Sequence, residues 1–150
     1  MEALLLSIHV VAGILFVGPI AVATSLFTRY VPVTVAADDA ASGVRSAEVA
    51  RLLHRITRVY GILALVVPVG GIALALVQAR ATEIWVIVAI VLTAMAGGLL
   101  ALQIVPQQRE ALADSDDEAS LRALAMTAGI FNLLWAVVVV LMVVRPGSSH

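Results

Sequence analysis

Three groups of residues in this chain could do chemistry away from bulk water. The first is His9, set in the apolar run LLLSIHVVAG. An imidazole there can ligate a haem iron or a metal, or stay neutral and hydrogen-bond a neighbouring helix. Gly13, one helical turn on, would leave room for a flat ligand beside the ring. The second group is Arg51, His54, Arg55 and Arg58. Their i, i+3, i+4, i+7 spacing puts them on one helix face. Such a face attracts anionic lipid headgroups, and it could equally hold a phosphate or a carboxylate. The third group is the pair of amides Gln103 and Asn132, which read as buried interhelical hydrogen-bonding groups. No nucleophile–base pair, phosphate loop or paired carboxylate falls within the apolar segments. The absence of cysteine excludes disulfides, Cys-ligated zinc and iron–sulfur clusters.

The elements that must position these groups follow from composition. The chain has 150 residues, of which 62 % are hydrophobic and only 13 % charged. A soluble domain is roughly half apolar and a quarter charged, so the surplus must face lipid. Four segments approach the roughly 20 apolar residues that cross a bilayer: about 3–27, 59–77, 84–105 and 124–144. Val and Ile would favour strands in water. In lipid each backbone polar group needs a partner within its own segment, and the runs must be helical. The expected fold is therefore all-α: an integral membrane antiparallel four-helix bundle in a single domain. All nine basic residues are arginine, a codon bias that suggests a GC-rich bacterial genome.

The arginines also orient the bundle. Arg29, Arg45, Arg51, Arg55 and Arg58 flank or fill the first connection, and Arg109 and Arg122 the third. Only Arg80 and Arg145 lie opposite. The positive-inside rule puts connections one and three in the cytoplasm, with both termini outside and the protein in the cytoplasmic (plasma) membrane. The first span is too long and lacks the basic lead of a signal peptide. His9 then lies about two turns inside the outer boundary, a depth where an ionisable group is a functional candidate. His54 lies near the inner boundary, so the two histidines cannot clamp one metal within a single bundle. Nothing in the charge pattern suggests nucleic acid.

Local signals mark the ends. Ser46 is an N-cap candidate with Glu48 in the first turn, and it starts a helix from about residue 47 that projects into the cytoplasm. Ser115-Asp116-Asp117-Glu118 has capping-box spacing. Pro19 and Pro68 should bend their helices, and Pro106 should end or kink the third. The stretch from Gln107 to Ala113 is expected as a short surface helix. Residues 32–43 read as a loop and 146–150 as a disordered tail. The acidic run Asp114, Asp116, Asp117 and Glu118 could pair with the basic face, cap the fourth helix, or simply be solvated. Trp85 and Tyr60 read as interfacial anchors. Small residues make close helix contact in lipid. The expected stripes are His9, Ala12, Gly13 and Phe16; Ala64, Gly71 and Ala75; Ala94, Gly97, Gly98 and Ala101; and Ala125, Gly129, Asn132 and Ala136.

The first span, LLLSIHVVAGILFVGPIAVATSLF, resembles the opening of a family of small predicted integral membrane proteins of unknown function. VPQQREALA and the ending LMVVRP fit the same family. It is distantly similar to copper-resistance D-type and protoporphyrinogen-oxidase-type membrane domains, through a first-helix histidine followed by small residues, here His9, Ala12 and Gly13. The resemblance to the oxidase type implies haem b and redox chemistry on a porphyrin. The chain's own residues favour a small non-enzymatic membrane component, accessory or oligomeric, whose partners are the bilayer with its anionic headgroups and a second copy or a membrane complex. A haem- or metal-binding redox protein using His9 is the alternative. An oligomeric small-molecule transporter is the third, although no intramembrane carboxylate is present to couple ions.

Overall fold

The computed structural model describes residues 2–32, 46–114 and 118–146. Its described residues form six α-helices and one π-helical turn, with no strand. They are α1 (Glu2–Tyr30), α2 (Ala47–Leu63), α3 (Val66–Val77), α4 (Ile84–Leu99), the π turn Leu100–Ile104, α5 (Val105–Ala113) and α6 (Glu118–Val144). Four of the resulting rods are long and apolar enough to cross a membrane: Leu4–Tyr30, Ala47–Val77, Ile84–Ala113 and Glu118–Val144. The chain is an all-α, four-helix membrane bundle. α1 packs on α2, α3 and α6, α4 on α6, and α2 on α5.

Helix termination follows the local chemistry. Ser46 caps α2 with its side chain, which accepts from Val49 N–H at 3.5 Å. The break between α2 and α3 lies at Ala64–Leu65. Pro68 has no N–H to give the Ala64 carbonyl, and that oxygen is taken by Val67 N–H at 3.0 Å instead. Pro19 behaves differently: α1 runs through it unbroken. α3 ends with Arg80 N–H on Ala75 O at 2.9 Å and Ala79 N–H on Leu76 O at 3.1 Å, a Schellman pair. Ala79 takes the left-handed position, with φ 53.

Pro106 does not end the third crossing. It lies at the start of α5, directly after the π turn. Pro106 cannot donate to the carbonyl four residues back, and the preceding Val105 N–H reaches five residues back, to Leu100 O. The extra residue rotates the face beyond it. An α-helical period from Ala96 and Leu100 would put residues 103 and 107 inside. Ile104 and Gln108 are buried instead, and Ala111, which lies on either period, is buried as well. The short helix expected at 107–113 is present, continuous with the crossing. The expected capping box and most of the 32–43 loop and of the 146–150 tail lie outside the described residues.

The packed core is displaced toward the arginine-rich end. Ile20, Ala23 and Phe27 of the first crossing, and Val31 just after it, meet Leu53, Leu100, Ile104, Leu124 and Phe131 there. Lipid tails are as apolar as these side chains, so close van der Waals fit holds the helices together rather than escape from water. Not all the small-residue stripes serve that fit. A Cβ at Gly61 would meet Leu100 at 3.2 Å, and one at Gly71 would meet His9 at 2.9 Å. Gly13, Gly97, Gly98 and Gly129 have nothing within 4 Å of an added Cβ. The expectation that the stripes of the first, third and fourth crossings are close contacts is corrected at these glycines.

Candidate functional site

His9 is the only buried side chain between residues 4 and 19. It is 9 % exposed. Its neighbours on α1 are exposed or half-buried. The ring lodges where α3 carries two glycines. A Cβ at Gly71 would lie 2.9 Å from Cε1 and 3.4 Å from Nε2, and one at Gly70 would lie 3.7 Å from Nδ1. The imidazole thus fills the space that side chains at 70 and 71 would take. Nδ1 is buried there without a hydrogen-bond partner.

The packing around His9 is that of a helix contact. Gly13, one turn on, has nothing within 4 Å of an added Cβ. One imidazole is a single donor, and no cluster of three His, Cys, Asp or Glu gathers among the described residues. What the contact does show is a knob seated in a hole, where the N-terminal half of α1 meets α3.

Polar side chains converge instead at the other end. His54 is half-buried on α2. Its Nδ1 lies 3.1 Å from Oε1 of Gln108 on α5. Gln108 Nε2 donates to Thr57 Oγ1 at 3.4 Å, and Thr57 Oγ1 donates to Leu53 O at 3.0 Å. Gln108 and Thr57 are both 0 % exposed. Most buried polar groups are partnered, and this chain of bonds partners Gln108 and Thr57 across two crossings. The π turn is what delivers Gln108 to α2.

The basic quartet therefore divides. His54 turns inward, while Arg51, Arg55 and Arg58 stay exposed beside it. Among the described residues, the arginine–carboxylate pairs are Arg80–Glu83 at 3.8 Å and Arg122–Glu118 at 3.5 Å. Among the described residues no carboxylate pairs with the basic face, and Glu118 holds its own helix neighbour; Asp116 and Asp117 lie outside the described residues. α5 and α6 also enclose a cleft lined by Gln107, Glu110, Asp114 and Ser120 among others.

The two amides singled out in the sequence part company as well. Asn132 Nδ2 donates to Ser25 Oγ at 2.9 Å, joining α6 to α1, and Ser25 Oγ donates to Ala21 O at 2.7 Å. Gln103 is exposed. The reading of Gln103 as a buried interhelical amide is corrected: the π turn swings it outward and brings Gln108 inward. Gln108 and Thr57 were missed, since one looks like a surface-helix residue and the other like a helix-interior threonine. Trp85 Nε1 donates to Glu83 at the start of α4. Trp135 packs edge-on against Phe131, with ring centroids 6.4 Å apart. Comparison with protein-family models, with curated proteins and with solved structures finds no match for this chain.

Proposed function

We propose that the chain is a non-enzymatic multi-pass component of the bacterial cytoplasmic membrane, with both termini outside, held at its cytoplasmic end by anionic headgroups. It acts as an accessory subunit beside further copies or a membrane complex. One observation carries the lipid contact: three guanidiniums stand exposed on one face of α2 with no carboxylate paired to them among the described residues. The crossing they belong to spans Ala47–Val77, 31 residues. At 1.5 Å per residue this is about 46 Å, against a hydrocarbon core of about 30 Å. That excess supports a headgroup-level position for the arginines. Each basic residue near an anionic surface contributes about 1 kcal/mol of attraction.

The test is thermal melting of the full chain in nanodiscs. Wild type should melt higher in discs with anionic lipid than in zwitterionic discs, and salt should shrink the difference. Arg51→Gln, Arg55→Gln and Arg58→Gln combined should abolish it. The matching triple lysine variant keeps the charge that sets topology, yet loses the bidentate fit to phosphate, and should fall between. Equal melting of wild type in both disc types would overturn the proposal.

A further inference from the structure

The network at the cytoplasmic end assigns a histidine tautomer. The Thr57 hydroxyl spends its proton on Leu53 O, so its oxygen receives the Gln108 amide N–H. That orients the Gln108 side chain and turns Oε1, an acceptor only, toward His54 Nδ1. Nδ1 must carry the proton. In the neutral imidazole, Nε2 is then the lone-pair nitrogen, and no hydrogen bond among the described residues engages it. Two side chains with no exposure, Gln108 and Thr57, hold the ring in this state.

The surroundings of that acceptor are all donors. Arg51 stands one turn before His54, Arg55 beside it, and Arg58 one turn after, all exposed. A ligand that matches this face needs an anionic group for the arginines and a hydrogen-bond donor for Nε2. An ammonium donor would enter among three guanidinium charges and be repelled. A hydroxyl is a donor without charge. The face sits at the end of a crossing, where phospholipid headgroups lie.

We propose that Arg51, His54, Arg55 and Arg58 form a binding site for an anionic phospholipid with a polyol headgroup. The arginines take the phosphate and His54 Nε2 accepts from a headgroup hydroxyl. The site rests on the anionic-headgroup reading above and adds selectivity to it. A phosphate ester with free hydroxyls has the same chemistry in soluble form, and the position of the face at the bilayer surface assigns it to lipid.

The experiment measures lipid retained on the full chain and its melting in phosphatidylcholine nanodiscs doped with one test lipid. Phosphatidylglycerol carries phosphate and hydroxyls, while phosphatidic acid carries phosphate without a headgroup alcohol. Phosphatidylglycerol should be preferred over phosphatidic acid roughly threefold to tenfold, the worth of one hydrogen bond. His54→Phe should erase that preference and keep the preference of both lipids over phosphatidylcholine. Gln108→Met, which frees the ring from its tautomer, should weaken it too and serves if His54→Phe loses helicity. Equal retention of the two anionic lipids by wild type would overturn the site, as would a preference that survives His54→Phe. No preference for either over phosphatidylcholine would overturn the headgroup reading beneath it. Glycerol 3-phosphate stabilising the protein in pure phosphatidylcholine discs as strongly as phosphatidylglycerol would overturn the lipid source.

Discussion

His9 shows how far one residue can be read. Its depth in an apolar run marks it as unusual, and the two sequence readings were ligand and helix contact. The ring in its glycine hole supports contact. The hole exists because Gly70 and Gly71 lack side chains, so the test belongs on α3. In Gly71→Ala the new Cβ would lie 2.9 Å from Cε1, and the ring must give way. Stability in detergent should fall by about 1–3 kcal/mol, the usual cost of overpacking, while Gly13→Ala, with open space around it, should melt like wild type. A wild-type melt for Gly71→Ala would mean that the contact holds nothing. His9→Leu removes a buried nitrogen that has no partner; replacing such a group by an apolar one is nearly neutral or stabilising. A Soret band in the purified protein that vanishes in His9→Ala would make the imidazole a ligand instead. The histidine was legible from sequence and its hole was half legible, since Gly71 was placed on a packing stripe without a partner. Gln108 was illegible, because its burial depends on a helix register that sequence period alone misplaces.

At the scale of elements, proline chemistry explains both the successes and the misses. A proline removes one donor, and the course of the helix then depends on which group takes the orphaned carbonyl. At Ala64 a neighbouring N–H takes it and the crossing breaks into α2 and α3. Before Pro106 the preceding N–H reaches back five residues, and the rod continues through a π turn. Sequence marks the proline and not the repair. The same accounting applies to the end of α3. The Schellman bonds there require a left-handed residue, and the chain supplies Ala79 at φ 53. An L-residue in that conformation costs roughly 1 kcal/mol over glycine. Ala79→Gly should therefore raise the stability of the full chain by up to about 1 kcal/mol, the gain being reduced by glycine's greater freedom when unfolded. Unchanged or lower melting would show that the turn relaxes once out of this conformation. The cap at Ser46 was read correctly because a short polar side chain before an amphipathic run is a local signal that tertiary packing leaves alone.

For the whole molecule, apolar composition specified four crossings and could not specify where they fit together. The four rods are nearly alike in hydropathy, yet the core gathers at the arginine-rich end, and between residues 4 and 19 of α1 the one buried side chain is His9. Shape at helix contacts decides this, and shape is what a hydropathy pattern lacks. Charge carries the remaining information, the orientation across the membrane. Seven of the nine arginines flank or fill connections one and three, and this asymmetry supports a cytoplasmic place for both. The chain contains no cysteine, so single cysteines can report sidedness without background. Thr82 lies exposed in the turn between α3 and α4, and Arg109 lies exposed on α5. In intact cells a membrane-impermeant maleimide should label Thr82→Cys and leave Arg109→Cys untouched until the membrane is permeabilised. The reverse pattern would invert the bundle. It would carry the Arg51, Arg55 and Arg58 face, with His54 and Gln108 behind it, to the outer leaflet, where the headgroups it meets are different.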